Sequence, residues 1–183
     1  MSDLRLIVGI DASPGVTYGA RLIAMLSEMG IATDLVLAQG AEPFFEREGL
    51  TPPEVSAGKT SGDCRGMILA PCGPSTLAQI AAGDGESPLA RAANETLAAG
   101  RRLVLLDLSS KLDLTHIRHM ERATQRGAIL YPPVPAFYAR PQDLDDMIAH
   151  SLGRVLDLFD IDSGTVRRWR ETSGKSRRGN QAG

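Results

Sequence analysis

Short runs of branched apolar residues alternate along the chain with segments whose apolar residues recur at helical spacing. The run at residues 4–10 (LRLIVGI) is followed at 17–29 by a segment that places Tyr18, Leu22 and Met25 on one helical face. Strands that helices cover on both sides are typically continuous apolar runs of this kind. The alternation therefore predicts an α/β protein with a parallel sheet of five or six strands and helices on both of its faces.

The predicted strands and helices follow one another along one domain. Strands are predicted at residues 4–10, 33–37, 67–70, 103–106 and 128–131, and helices at 17–29, from about 75, and at 88–99, 114–126 and 143–159. Residues 38–63 and the proline-rich stretch 132–141 are predicted to be irregular. Because ligands bind such sheets at the carboxyl ends of the strands, the candidate binding segments are 11–15, 38–48, 71–76, 107–111 and 132–140.

The charge of the chain is unevenly distributed. After residue 162, six basic residues stand against Glu171 alone, so this tail carries +5 and the first 162 residues carry −7 of the net −2. An acidic domain is a poor match for nucleic acid. We predict a single domain at residues 1–162 and a basic C-terminal tail at 163–183 that is partly disordered.

Two further features bear on the location of the protein. The sequence has no apolar run long enough to span a membrane, and its first residues are too short and too strand-like to form a signal peptide. Cys64 and Cys72 show no metal-ligand spacing and are interpreted as reduced thiols, with a disulfide as the alternative. A cytoplasmic protein with no membrane partner is therefore expected.

Two strand-to-helix turns are rich in small residues. In residues 11–15 (DASPG) and 71–76 (PCGPST), such residues would let backbone N–H groups approach an anion at the positive end of the following helix. Neither turn has the GxGxxG or Walker A pattern. The alternatives are a purely structural first turn and, in the second, a helix cap formed by Ser75 or Thr76.

The histidine and aspartate clusters favour structural roles. His116 and His119 lie three residues apart on a predicted helix, but no acidic or thiol group lies at an offset that would complete a metal site. We interpret them as non-metal residues. Asp143, Asp145 and Asp146 open the last helix, where carboxylates favour the positive helix end.

Several segments resemble the UbiX-type flavin prenyltransferases. Residues 6–22 (LIVGIDASPGVTYGARL) resemble the opening of that family, and residues 132–145 (PPVPAFYARPQDLD) with 153–157 (GRVLD) resemble its closing segment. Between them, PC at 71–72, RAA at 91–93 and THI at 115–117 fall in register. The resemblance covers residues 4–170, and its PxFYxRPxxxxD segment is specific, so the chain is identified as a divergent member of that family.

The resemblance implies a flavodoxin-like (Rossmann-like) three-layer sandwich that assembles into a homo-oligomer, a trimer or a dodecamer, with FMN at a subunit interface. Members of the family join dimethylallyl phosphate to N5 and C6 of reduced FMN without a metal. The product, prenylated FMN, is the cofactor of UbiD-type decarboxylases, which are the implied partners. Such a site must hold the departing phosphate with cationic and hydroxyl groups and must accept the proton from C6.

Some of the site residues that the resemblance implies are present at the matching positions of this chain. Arg91, Tyr138 and Arg154 match residues that bind the phosphate of the substrate, and Glu48 matches a glutamate near the isoprenoid site. These four are the expected catalytic residues. Asp11 brings a carboxylate close to the expected flavin phosphate. The positions expected to bind FMN or prenylated FMN are Asp11, Ser13, Gly15, Ala38, Gly73, Ser75, Thr76 and Arg91.

Other positions depart from the family pattern. The first turn reads TGASG in the family and DASPG here, so Pro14 replaces a serine that contacts the flavin. Ala98 replaces a lysine that binds phosphate. Leu108 and Ser109 replace an arginine and a glutamate that is a candidate acid–base group. Lys111 lies nearby and is the cation that could substitute.

Three functions are consistent with this pattern. The first is prenyl transfer to FMN with impaired or altered catalysis, because removing one preorganised charged group can lower a rate on the order of 10²–10³-fold. The second is a non-catalytic protein that binds, stores or delivers FMN or prenylated FMN, or an accessory subunit of a decarboxylase. The third is a flavin-dependent oxidative decarboxylase. The retained phosphate-binding residues favour the first.

Overall fold

A computed structural model describes residues 5–54 and 64–167. The strands are β1 Arg5–Ile10, β2 Ala32–Leu37, β3 Gly66–Leu69, β4 Arg102–Leu105 and β5 Ile129–Leu130. The helices are α1 Val16–Glu28, α2 Glu42–Arg47, α3 Pro74–Ala82, α4 Pro88–Ala98, α5 Leu114–Gln125 and α6 Leu144–Asp157, and a 3₁₀ turn covers Phe137–Ala139. The five strands are parallel and lie in the order β2-β1-β3-β4-β5, which confirms the predicted sheet and gives a flavodoxin-like fold.

Helices cover both faces of the sheet, so the domain has three layers. Side chains alternate along β1, as the pleat of a strand requires. Leu6, Val8 and Ile10 belong to a core shared with α1 and α6. Ile7 belongs to a second core, shared with α3, α4 and α5. The continuous apolar run in the sequence therefore reflects a strand that is buried on both faces.

A glycine brings α1 against the carboxyl edge of the sheet. A Cβ atom at Gly19 would lie 2.3 Å from the carbonyl oxygen of Ala70 and 2.6 Å from Cγ1 of Ile10. A larger residue would have to displace the backbone that follows β3. The first turn of α1 is therefore held beside the ends of β1 and β3, where a ligand of such a sheet would bind.

The segment 38–63, predicted to be irregular, contains a helix. α2 has six residues, and Phe45 is its buried side chain, so its sequence shows no helical repeat that could have revealed it. The helix ends at Arg47 and leaves Glu48 beside the start of α1. Residues 55–63 lie outside the described part of the chain.

The predicted cap on α3 is wrong, whereas that on α6 is confirmed. α3 begins at Pro74 with Gly73 at its N-cap position, so Ser75 and Thr76 lie inside its first turn and cap nothing. Proline is favoured as the first helical residue because it has no N–H group that would need a hydrogen-bond partner. The helix therefore begins at Pro74, before the predicted start near Ser75. At α6, the carboxylate of Asp143 accepts a hydrogen bond from the N–H of Asp146 (2.9 Å).

The first residues of the predicted C-terminal tail contact the domain. The hydroxyl of Thr165 donates to the carbonyl of Ala149 (3.1 Å), and Nη1 of Arg167 donates to that of Ala139 (2.8 Å). The remainder of the predicted tail, residues 168–183, lies outside the described residues. Among the helices that the structure describes, none is long and apolar enough to cross a membrane.

Candidate functional site

A cleft of about 290 Å³ opens at the carboxyl ends of three adjacent strands, β1, β3 and β4. Residues from the loop that follows each strand line it. These are Ser13 and Pro14, then Pro71, Cys72, Gly73 and Pro74, and finally Leu108, Ser109 and Ser110. The cleft lies where the strand order reverses between β1 and β3, which is the usual ligand site of such sheets. Two of the segments predicted to bind an anion thus form its walls.

The carboxylate of Asp11 joins the first two of these loops. Its Oδ1 accepts a hydrogen bond from the N–H of Ala12 (2.8 Å), and its Oδ2 accepts one from the N–H of Gly73 (2.9 Å). Asp11 is only 8% exposed. These N–H groups are the ones that the sequence offered to a bound anion, so Asp11 holds the turns together in place of the expected contact with a flavin phosphate.

A second carboxylate occupies the positive end of α1. Glu48 accepts hydrogen bonds from the N–H of Gly15 (2.6 Å), the N–H of Thr17 (2.8 Å) and the hydroxyl of Thr17 (2.5 Å). Burial opposes the charge of Glu48, but these hydrogen bonds outweigh burial and lower the pKa of the carboxyl. A ligand phosphate could bind at this helix end only by displacing an ionised carboxylate.

One hydroxyl group beside the cleft lacks a partner. Oγ of Ser13 is closed off from solvent and makes no hydrogen bond within the described residues. A Cβ atom at Gly73 would lie 3.2 Å from Cβ of Ser13, so only a glycine leaves the gap between the two turns open. Because buried hydroxyl groups are normally hydrogen-bonded, this one would gain a partner if a ligand atom, such as the edge of a flavin ring, entered the gap between the two turns.

Cys72, which also lines the cleft, is a protonated thiol. Burial raises its pKa well above the usual value, and the negative charges of Asp11 and Asp107 raise it further. Both cysteines are free and buried, in agreement with the interpretation of Cys64 and Cys72 as reduced thiols. A thiol in this environment is a poor nucleophile, so its part in the cleft is to pack.

An aspartate and a histidine form a buried pair behind the loop that follows β4. Oδ2 of Asp107 lies 2.5 Å from Nε2 of His116, and their side chains are 2% and 7% exposed. Asp107 also accepts a hydrogen bond from the N–H of Ser109 (2.9 Å). Burial opposes the charge, but the bonds from Ser109 and His116 outweigh it and lower the pKa of the Asp107 carboxyl.

His116 was interpreted as a residue without a metal, and its pairing with Asp107 was not predicted from the sequence. In the described residues, no group of three or more His, Cys, Asp or Glu side chains is placed to hold a metal ion. The positions of the two residues in the sequence could have indicated the pair. Asp107 follows a buried strand, and His116 lies in the first turn of the next helix, so both belong to the carboxyl edge of the sheet.

Tyr138 and Arg154 lie outside the set of residues that line the cleft, and both act electrostatically on Tyr131. Burial raises the pKa of Tyr131, Arg154 lowers it by its positive charge, and Tyr138 raises it. Both predicted phosphate-binding residues are therefore within electrostatic reach of one point. The ring of Tyr138 also packs edge-on against His150, with centroids 5.9 Å apart, and Nη1 of Arg154 lies 3.7 Å from Oδ2 of Asp157.

Other predicted site residues lie apart from the cleft. Arg91 is exposed in the first turn of α4, where its Nε donates to the carbonyl of Gly85 (3.4 Å). Ala98 ends α4 four residues before β4 begins, so it lies at the opposite edge of the sheet from Leu108. A cation at position 98 could reach a cleft only in a neighbouring subunit.

The remaining predicted flavin-binding positions surround the strand ends without forming the cleft wall. Ala38 follows β2, and its N–H donates to the carbonyl of Ile10 (2.9 Å). Gly15 has φ 96°, and a Cβ atom there would meet Cδ2 of Leu108 at 2.4 Å. Ser75 is exposed, and Thr76 is buried. Their contacts with a flavin stay predictions.

Known proteins resemble the chain along nearly its whole length. No protein-family model matches it. It is 39% identical over 182 residues to the flavin prenyltransferase UbiX of Thauera aromatica, and the match covers 91% of this chain and 94% of that protein. A crystal structure of AnUbiX (PadA1) in complex with FMN and dimethylallyl pyrophosphate superposes with a TM-score of 0.86 at 33% identity, covering 92% of this chain and 98% of that one.

A second solved structure has the same fold. It is a dodecameric FMN-dependent UbiX-like decarboxylase from Escherichia coli O157:H7, with a TM-score of 0.82 at 32% identity, and it covers 92% of this chain and 100% of its own. Identity above 30% along nearly the full length of such proteins agrees with the strand order and with the motifs of the first and last segments. The chain belongs to the family of UbiX-type flavin prenyltransferases.

Proposed function

We propose that this protein binds FMN in the cleft at the ends of β1, β3 and β4 and transfers a dimethylallyl group to the reduced flavin more slowly than its relatives do. The product would be prenylated FMN, supplied to a UbiD-type decarboxylase. The observation that carries this proposal is the Ser13 hydroxyl, which has no partner among the described residues, beside a cleft lined mostly by small residues. The similar structure of AnUbiX, which contains FMN and dimethylallyl pyrophosphate, supports the choice of ligands.

The residues of the chain have distinct parts in this proposal. Ser13 would donate to a polar atom of the flavin, and Gly73 would let the flavin approach the backbone. Tyr138 and Arg154 would bind the phosphate of dimethylallyl phosphate as charge develops on it. Arg154 supplies the charge, and the hydroxyl of Tyr138 adds a donor. Glu48, already bonded to α1, would form the wall on the isoprenoid side.

A homo-oligomer, a trimer or a dodecamer, would complete the site. Three large apolar side chains of the segment 134–144, which includes Tyr138, are strongly exposed in the single chain: Val134 (73%), Phe137 (75%) and Leu144 (68%). Exposed apolar side chains concentrated in one segment are typical of a surface that another protein covers. With that surface covered by a second copy, Tyr138 and Arg154 of one subunit would face the cleft of its neighbour.

The walls of the cleft favour impaired catalysis. All nine residues that line it are uncharged. Leu108 takes the place of a cation that would neutralise the departing phosphate, so the phosphate would depend on Arg154 and on Lys111 in the exposed loop after Ser110. The same absence of charge favours a second candidate function, in which the protein binds FMN or prenylated FMN and stores or delivers it without catalysis.

Turnover of dimethylallyl phosphate with reduced FMN, followed by the mass of the flavin product under anaerobic conditions, tests the proposal. We expect prenylated FMN to form on the order of 10²-fold more slowly than with the Thauera aromatica relative, because a charged group is missing from the cleft. Leu108→Arg combined with Ala98→Lys should raise the rate. Leu112→Arg, an exposed change in the same loop, is the matched control. A wild-type rate equal to that of the relative would contradict impairment, and bound FMN with no product would favour the storage function.

Ser13→Ala should separate ligand binding from folding. Its hydroxyl has no partner in the part of the chain that the structure describes, so the midpoint of thermal unfolding should not change. The dissociation constant of FMN, measured by quenching of flavin fluorescence, should rise about fivefold, as the loss of one hydrogen bond implies. Ser27→Ala, on the exposed end of α1, is the control. An unchanged FMN affinity would remove Ser13 from the flavin site.

Arg154→Ala should weaken binding of dimethylallyl phosphate about tenfold or more in the presence of oxidised FMN, because a charge-assisted hydrogen bond to phosphate is lost. The affinity for FMN itself should stay the same. Calorimetric titration measures both constants, and Arg118→Ala on the exposed face of α5 is the matched loss of one positive charge. A variant with lower unfolding stability but unchanged phosphate affinity would show that Arg154 is structural.

A further inference from the structure

Most of the residues that line the cleft offer a ligand no backbone donor. Three of the nine are prolines, which have no N–H group: Pro14, Pro71 and Pro74. Three others donate their N–H group within the protein: Cys72 to the carbonyl of Leu106 (2.8 Å), Gly73 to the carboxylate of Asp11 (2.9 Å) and Ser109 to that of Asp107 (2.9 Å). A ligand can therefore reach at most three of the nine backbone donors in the cleft wall.

The start of α1, beside the cleft, is closed to an anion as well. The carboxylate of Glu48 accepts hydrogen bonds from the N–H groups of Gly15 (2.6 Å) and Thr17 (2.8 Å). Leu108 packs against the same turn, and a Cβ atom at Gly15 would lie 2.4 Å from its Cδ2. A carboxylate and an apolar side chain thus cover the kind of helix end at which proteins commonly bind phosphate.

Two buried charges next to the cleft are negative. The lining side chains are uncharged, and the carboxylates of Asp11 and Asp107 lie beside them, 8% and 4% exposed as residues. Both carboxylates raise the pKa of Cys72, which lines the cleft, so their negative charge acts there. Asp107 is paired with His116 (2.5 Å), whereas the two groups that donate to Asp11 are uncharged backbone N–H groups. Asp11 is therefore a negative charge that no cation in these contacts offsets.

We propose that the cleft binds the uncharged ring system of a flavin and contributes no binding to its phosphate, so that riboflavin binds about as tightly as FMN. Asp11 is the residue that sets this specificity. Its carboxylate takes N–H groups on both turns and places a negative charge beside the ligand. This specificity rests on the proposed function, which places a flavin in the cleft.

The ring of an oxidised flavin suits the cleft better than a phosphate does. The ring is uncharged, and its polar edge could bond the Ser13 hydroxyl, which has no partner among the described residues. A phosphate that left water here would lose its hydration without gaining a cation from the cleft wall, so the phosphate of FMN would stay in water. The phosphate of dimethylallyl phosphate is a different group, which the proposed function assigns to Arg154.

Riboflavin is FMN without its phosphate, so the two ligands isolate the contribution of that group. We expect the dissociation constants of oxidised FMN and riboflavin for the full-length protein, measured by quenching of flavin fluorescence, to differ by less than about tenfold. A single charge-assisted hydrogen bond to the phosphate would by itself favour FMN about tenfold or more. A rise in ionic strength, which screens charges, should change the two constants alike.

Asp11→Asn tests the residue to which the specificity is assigned. Loss of the negative charge should tighten FMN about fivefold relative to riboflavin, because a like charge is removed from beside the cleft. Asp160→Asn, an exposed loss of one negative charge beside Arg102 at the start of β4, is the matched control and should leave the ratio unchanged. Asparagine replaces one of the two acceptor oxygens with an NH₂ group, so Asp11→Asn should unfold at a lower temperature. Should it fail to fold, the comparison of the two flavins on the wild-type protein still decides.

The failure of this specificity and the failure of the proposed function can be told apart. FMN bound more tightly than riboflavin by about tenfold or more, or a salt dependence confined to FMN, would overturn the specificity and keep the FMN site. A folded Asp11→Asn variant with the wild-type ratio would show that Asp11 does not set it. A protein that binds neither flavin would contradict the proposed function together with the specificity.

Discussion

Two backbone N–H groups, those of Ala12 and Gly73, donate to opposite oxygens of the buried Asp11 carboxylate, and the rest of the site depends on this arrangement. The groups belong to turns that follow neighbouring strands, so the carboxylate fixes the distance between them. An unpaired N–H group at this depth would cost about 1–3 kcal/mol. The gap that remains between the turns contains the Ser13 hydroxyl, which has no partner of its own among the described residues.

At the carboxyl edge of the sheet, three of the described carboxylates lie near the cleft and receive hydrogen bonds from the protein. Asp11 joins two turns, Glu48 occupies the positive end of α1, and Asp107 bonds Ser109 and His116. The N–H groups of Ala12, Gly73, Gly15 and Thr17, which could have bound a ligand phosphate, are therefore already used. At these turns a phosphate would depend on side-chain cations outside the cleft, such as Arg154. If the cations lie outside the cleft, a cleft lined by uncharged residues can still belong to a site that binds a phosphate.

The sequence predicted the sheet well because its strands are buried on both faces, which leaves an apolar run that periodicity detects. It could not predict α2, where six residues bury only Phe45. The small-residue turns around Ser13 and Gly73 were found because small residues are required where backbone and ligand approach closely.

The sequence did not show which anions those turns hold, because Asp11 and Glu48 reach the N–H groups only in the folded chain. The pairing of Asp107 with His116 was missed for the same reason, since it joins two elements. At Ala98 the sequence showed which residue had changed but not where it lies in the fold. A match by position identified a missing cation, but only the fold shows that this position lies at the far edge of the sheet.

Mass spectrometry of the small molecules released from the protein purified from cells tests most directly whether the cleft is a prenyltransferase-type flavin site. The predicted result is FMN or prenylated FMN, close to one molecule per subunit, and its loss from a Gly73→Val variant whose side chain would close the gap between the two turns. Purified protein that carries no flavin and takes up none when FMN is added would contradict it, as would a flavin that remains bound at full occupancy in Gly73→Val.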